Sequence, residues 1–361
     1  MGTLVIMAGE GVGPEVVQEA RRIVEWFATE GGVDIDTREE LYGTKAYDRY
    51  GTPFREDAIG DLIAADAVFF GATGGPEFER IPLELRRRFG LLRLRRELGV
   101  YANLRPIHYY DALEDAVAVR PEVARGTDIL VVRELNGGIY FGEPRGIEPT
   151  PDGSRRAVNT LVYTTDEIRR IAQSAFALAR SRDGRLCSVD KSNVLDNGVL
   201  WREVVTEMGR EEFPDVALTH ILVDNCAMQL VIAPTQFDVL LADNMFGDIL
   251  SDIGGAIAGS LGMLASASLS DADATGHRRA LYEPVHGSAP DIAGRGIANP
   301  IGAIASLALA LEHSFDAPSA ARSLEGAIEQ TLADGVRTRD IGGSASTTQV
   351  GDAILAALRI S

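Results

Sequence analysis

The sequence predicts an α/β protein whose mostly parallel sheet is covered by helices on both faces, and three observations carry that prediction. Short β-branched apolar runs alternate along the chain with segments of helical period. The runs are continuously apolar instead of alternating, as strands buried on both faces are. Polar residues follow the runs directly, and in such sheets ligands bind beyond the carboxyl ends of the strands. In chain order, "TLVIMAG" at 3–9 reads as the first strand and "PEVVQEARRIVEWFA" at 14–28 as a helix with Pro14 in its first turn. The "GEGVGPE" between them spaces its glycines G-x-G-x-G, not in the G-x-G-x-x-G dinucleotide pattern, so a plain helix start explains it equally well. Further strands are "ADAVFFGA" at 65–72, "TDILVVREL" at 127–135, "LCSVDK" at 186–191, "LTHILVD" at 218–224 and "FDVLLADN" at 237–244, with "DEIRRIAQSAFALARS" at 166–181 a helix among them. The stretch 140–160, rich in Gly, Pro and charge, reads as an excursion from the compact body. No repeat and no low-complexity tract interrupts the pattern.

Composition narrows the function. The 361 residues, 45% apolar and 24% charged, suit about two domains or one large α/β unit. A net charge of −18 argues against nucleic acid or an anionic membrane as the main partner. Cys187 and Cys226 lack CxxC spacing and any nearby His cluster, so they read as reduced, buried thiols of a cytoplasmic protein. The opening "MGTLVIMAGEG" has no basic leader, and Ile6 stands where a myristoylation signal needs Ser or Thr. The longest apolar run, 301–311, falls short of the roughly 18 residues of a membrane span.

Four groups of residues suggest chemistry. In "FDVLLADNMFGDILSDIGGA", 237–256, Asp248 and Asp252 stand at i and i+4, where like charges weaken a helix by a few tenths of a kcal/mol. Read alone they are exposed helix charges, but they follow a strand end. "ILVDN" adds Asp224 at another strand end, and three carboxylates without Cys or His specify a hard cation, Mg²⁺ or Mn²⁺, and not zinc. "RRRFGLLRLRR", 86–96, holds six arginines, with Arg105 and Arg133 beyond it. A solvated helix is the bland reading, yet Leu91, Leu92 and Leu94 turn part of it inward, and Arg133 ends an apolar strand. Arginine suits bidentate binding of carboxylates, so a substrate with more than one is expected. "EPVHGSAPDIAGRGIANP", 283–300, lets a backbone approach a ligand, and Asp291 can accept from a ribose hydroxyl. Lys191 and Tyr140, alone a surface charge and a half-buried ring, beside a cation become a proton acceptor and a proton donor.

Together "GEGVGPE", "LRRELGVYANLRP", "VRELNGGIYFGEPRG", "SVDKSNVL", "FDVLLADNMFGDILSD" and "EPVHGSAPDIAGRGIANP" resemble, in order from residue 9 to 300, the motifs of the metal-dependent β-decarboxylating dehydrogenases of 2-hydroxy acids, the isocitrate/isopropylmalate dehydrogenase family. "NGGIYFGEPRG" is most similar to the isopropylmalate branch. The resemblance implies a fold without a GxGxxG Rossmann unit: a cofactor-side domain of residues 1–101 and 256–361, and a second domain of 102–255. It also implies a homodimer with an arm at 140–160 and active sites shared between subunits, Lys191 and Asp224 coming from the neighbour. The expected reaction is NAD-dependent oxidative decarboxylation of 3-isopropylmalate, a dicarboxylic hydroxy acid, in leucine biosynthesis.

By the same resemblance Arg95, Arg105 and Arg133 bind substrate carboxylates, Leu91, Leu92 and Val194 form its apolar pocket, and Tyr140 and Lys191 are the acid–base pair. Asp224, Asp248 and Asp252 hold the metal, Asp224 also bordering the substrate. Gly74, Gly75, Asn193, Glu283, His286, Gly287, Ser288, Ala289, Asp291, Ile292 and Asn299 are the cofactor contacts, with Asp291 favouring NAD over NADP. Arg88 stands where the branch has Glu, which opens a second expectation: the same chemistry on another 3-substituted malate, tartrate or D-malate. A third, a non-catalytic regulatory subunit, is disfavoured by the presence of Lys191, Tyr140 and the three aspartates.

Overall fold

Each of the runs read as a strand becomes one in the computed structural model, which describes residues 2–274 and 276–359. The strands are β1 (Gly2–Gly9), β2 (Ile35–Glu39), β3 (Ala67–Ala72), β4 (Ala102–His108), β5 (Asp128–Glu134), β6 (Gly142–Pro149), β7 (Arg155–Thr160), β8 (Arg185–Asp190), β9 (Ala217–Leu222), β10 (Val239–Ala242), β11 (Ala265–Ala272) and β12 (Arg278–Pro284). Ten form one sheet in the order β2-β1-β3-β12-β11-β4-β5-β10-β8-β9, and β6 pairs with β7 separately. Pairing is parallel except at the centre, where β11 runs antiparallel to β12 and β4, and β4 antiparallel to β5.

Helices cover both faces for the expected reason. Gly13–Thr29 starts on Pro14 and buries Val16, Val17, Ala20, Ile23, Val24 and Phe27, an i, i+3/i+4 stripe. Thr165–Ser181 opens with a capping box in which the Thr164 hydroxyl accepts from the Glu167 N–H and Glu167 accepts from the Thr164 N–H. The apolar run at 301–311 is a helix, Ile301–His313, apolar all round because it packs between the sheet and two other helices. Among the described residues no helix is long and apolar enough to cross a membrane.

Residues before 102 and after 256 supply β2-β1-β3-β12-β11, and those between supply β4-β5-β10-β8-β9. The helix Asn244–Ala258 runs across the second of these dividing lines. The excursion at 140–160 is the β6–β7 hairpin, exposed along almost its whole length, with Ile147 70% exposed.

Candidate active site

The β10–β5 register pairs Ala242 with Arg133, which sets that arginine beside the start of the helix Asn244–Ala258. Asp243 caps this helix, its carboxylate accepting from the Phe246 N–H at 2.7 Å. One turn in, Asp248 accepts from the Arg133 guanidinium, from Arg105 Nη1 at 3.2 Å and from the Tyr140 hydroxyl at 3.3 Å. Asp252 lies 3.6 Å from Arg105 Nη1. The two aspartates that repel each other along the helix are therefore faced by two guanidiniums.

Those guanidiniums sit in an unfavourable place. Arg105 and Arg133 are 6% and 3% exposed, and Arg95 on the helix Leu91–Leu98 is 9% exposed, paired with Glu283 of β12. Burial pulls Arg105 below the usual guanidinium range, and burial with repulsion from Arg105 brings Arg133 down to about 10. Arg95 Nε is buried with no hydrogen-bond partner among the described residues. Three buried guanidiniums, one with an unpartnered Nε and two faced by the partly exposed Asp248 and Asp252, are suited to an anionic ligand. Burial raises Asp252 and Tyr140 above their ordinary values, Asp248 adding to the rise at Tyr140. A cleft of about 1110 Å³ opens at Tyr140, bordered by Leu91, Leu92 and Thr73.

Lys191, Asn193, Val194 and Asp224 form a second group. Lys191, just past β8, donates to Asp224 at 2.7 Å, and this bond holds Asp224 below the usual carboxylate range. Asn193 and Val194 are exposed, Val194 at 67%. Among the described residues no three His, Cys, Asp or Glu side chains come close enough to hold a metal, so Asp224 does not join Asp248 and Asp252 within one chain.

The loop 286–299 rests on the glycine turn after β1. The Ser288 carbonyl accepts from the Val12 N–H at 2.9 Å, and a Cβ on Gly11, whose φ is +58°, would lie 1.9 Å from that oxygen. Gly74 and Gly75, at φ +102° and +96°, face the same loop, a Cβ on Gly75 falling 3.2 Å from Ser288 Oγ. Glu15 ties down the far end by accepting from the N–H groups of Gly294 and Gly296. His286 is pushed down by burial, and its Nε2 is buried without a partner among the described residues. Ala289 takes a positive φ of 39°, Gly287 and Asp291 are exposed, and Ile292 is half-buried. Asn299 faces inward, donating to Asp340 at 3.1 Å and accepting from the Ile301 N–H at 3.0 Å, so its side chain fixes the next helix.

The profile of the isocitrate/isopropylmalate dehydrogenase family matches residues 3–354. The chain belongs to this family. A protein named 3-isopropylmalate dehydrogenase 1 from Bordetella bronchiseptica is 56% identical over 98% of this chain and 97% of its own. A 3-isopropylmalate dehydrogenase from Cereibacter sphaeroides is 52% identical over 99% of both. Among solved structures, isocitrate dehydrogenase from Methylococcus capsulatus superposes with a TM-score of 0.86 at 31% identity, covering 99% of this chain and 100% of that one. A β-decarboxylating dehydrogenase from Thermococcus kodakarensis gives 0.78 at 34% identity, covering 100% and 97%.

In this isocitrate/isopropylmalate dehydrogenase family member, sequence reasoning passed over the residue with the most bonds at the site. Asn244, 1% exposed, accepts from Arg133 Nε at 3.1 Å and Nη2 at 2.8 Å, and its amide donates to the carbonyls of Leu135 and Gly137 at 3.0 Å each. Its backbone N–H donates to Tyr163, whose hydroxyl donates at 3.2 Å to buried Glu134. One side chain thus fixes both Arg133 and the turn leading to Tyr140. Its only signal was a polar residue directly after an apolar strand. Asn244→Ala is expected to lower unfolding free energy by about 2–3 kcal/mol, since it strands buried carbonyls and donors. An unchanged urea midpoint would contradict this.

Proposed function

We propose that the protein catalyses the NAD- and divalent-metal-dependent oxidative decarboxylation of 3-isopropylmalate, in leucine biosynthesis, as a homodimer with shared active sites. The observation that carries the reading is the buried trio Arg95, Arg105 and Arg133 gathered against Asp248 and Tyr140. Full-length relatives named 3-isopropylmalate dehydrogenase support the substrate.

The arginines orient the carboxylates of the substrate, and Leu91 and Leu92 receive its alkyl group. Asp248 and Asp252 offer only carboxylate oxygens, a donor set that fits Mg²⁺ or Mn²⁺, completed by Asp224 of the partner subunit. Bound there, the cation supplies Lewis acidity to the substrate oxygens. Lys191 is the residue that would take the hydroxyl proton, and a bound NAD would supply the hydride acceptor. Tyr140 delivers a proton to the carbon that CO₂ vacates. His286, with its unpartnered Nε2, and the loop 286–299 fit the dinucleotide.

Exposed Met228, Val231 and Ile232 on the helix Val223–Ile232, with Ile249 on the helix packed beside it, form an apolar face of the sort that a second copy covers. It adjoins Asp224 and Asp248 in sequence, as shared sites require.

Steady-state kinetics on a panel of 3-substituted malates, tartrate and D-malate tests the reading: kcat/KM is expected to be highest for 3-isopropylmalate. NADP is expected to be roughly 100-fold poorer than NAD, because Asp291 accepts from a free ribose hydroxyl and repels a 2′-phosphate. A better substrate elsewhere in the panel, or equal use of NADP, refutes the corresponding assignment.

A further inference from the structure

The cleft beside Tyr140 carries charge that the pocket arginines do not explain. On its walls Arg93 binds Glu56 at 2.9 Å and Glu97 at 3.2 Å, while among the described residues the Glu143 carboxylate accepts only from the backbone N–H of Arg145 at 3.0 Å. Arg86, Arg87, Arg88, Arg96 and Arg145 line the same cleft, and among the described residues none has a carboxylate within 4.0 Å. This is unexpected in a chain with 53 acidic and 35 basic residues. Two of these guanidiniums are nevertheless held in place: Arg88 lies 5.2 Å from the Phe89 ring and Arg96 5.3 Å from the Phe141 ring. Cation–π attraction to a ring restrains a guanidinium while its N–H groups remain able to bind an oxyanion. Six arginines against Glu56, Glu97 and Glu143 leave the cleft lining with an excess of positive charge, which attracts counter-ions.

The rim is distinct from the buried trio. Arg95, Arg105 and Arg133 face carboxylates in Glu283, Asp248 and Asp252, while Arg87, Arg88 and Arg96 are exposed and, among the described residues, have no carboxylate within 4.0 Å. We propose that this rim is a second oxyanion site, which takes a phosphate or carboxylate group of a small molecule lying over Leu91 and Leu92. The group has two possible sources, the tail of a 3-substituted malate or a separate polyanion. Only the first rests on the function proposed above.

The test compares the full-length protein with its Arg87→Ala/Arg88→Ala form, both positions being exposed and outside the catalytic set. Inorganic pyrophosphate is titrated calorimetrically in metal-free buffer at fixed ionic strength. In parallel, kcat/KM is measured for two malates of equal length, one ending in an alkyl group and one in a carboxylate. The double substitution is expected to weaken pyrophosphate binding about tenfold through loss of charge-assisted contacts. A matching loss confined to the carboxylate-ended malate assigns the rim to a substrate tail, and unchanged kinetics on both malates assigns it to a separate anion. Equal pyrophosphate affinity together with equal malate selectivity in the two proteins overturns the proposal, as does an effect that sodium chloride alone reproduces. If the unsubstituted protein turns over neither malate, the assigned reaction falls, and the pyrophosphate titration still decides the rim.

Discussion

Asp248→Asn is expected to lower kcat/KM by on the order of a thousandfold at millimolar Mg²⁺, the loss of several kcal/mol of charge stabilisation at the reacting oxygens. Among the described residues Asp248 is the one carboxylate that touches Arg133, Arg105 and Tyr140 together. Asparagine keeps the shape and one acceptor oxygen but removes the charge, so the proposed cation would lose a ligand and two buried guanidiniums their shared anion. With the Asp248 side chain 37% exposed, the stability cost is expected at about 1–3 kcal/mol, below that of breaking a fully buried pair. The variant should therefore still melt cooperatively by circular dichroism. Full activity with an unchanged Mg²⁺ dependence would remove Asp248 from the metal site.

The second large effect is a gain. Asp248→Asn and Lys191→Met proteins are each expected to be nearly inactive, yet unfolding and refolding them together should restore about a quarter of unsubstituted activity. Random association makes half the dimers mixed, and each mixed dimer has one intact site and one doubly substituted site. The arithmetic holds only if Lys191 serves the aspartates of the other chain. Its bond to Asp224, and the absence of any metal-sized trio among the described residues, make that arrangement the expected one. Activity no greater than the sum of the two parents would place each site within a single chain.

The fold was legible wherever burial acted through side-chain type. "DILVV" and "DVLLA" are buried on both faces and could be read as strands by their unbroken apolarity. β11 could not, because its "ASASLS" is buried through satisfied hydroxyls: Ser266 donates to the Glu283 carbonyl at 2.9 Å, and Ser268 accepts from Asn103 at 2.9 Å. β4 hid for a related reason, since Arg105 in its middle is buried against Asn103, Ser251 and Asp248. At the site, Asp248 and Asp252 were readable because helical spacing is local, and Arg133 because it ends an apolar run. Asn244 was not, because its four bonds reach residues more than a hundred positions away. The glycines of "GEGVGPE" likewise gave no sign that Gly11 is small in order to admit the Ser288 carbonyl.

The junction of β11 with β4 joins the two halves of the large sheet through three register pairs: Ala267 with Leu104, Ser268 with Asn103 and Leu269 with Ala102. Arg95 belongs to one side of that junction, and Arg105 and Arg133 to the other. A dianion gripped by all three acts as a strut across a narrow torsional joint, so tightening its grip stiffens the whole sheet against twist. If the proposed substrate binds there, its concentration would set a mechanical property of the molecule, and amide hydrogen exchange along Ala102–Leu104 is where that stiffening would be felt first.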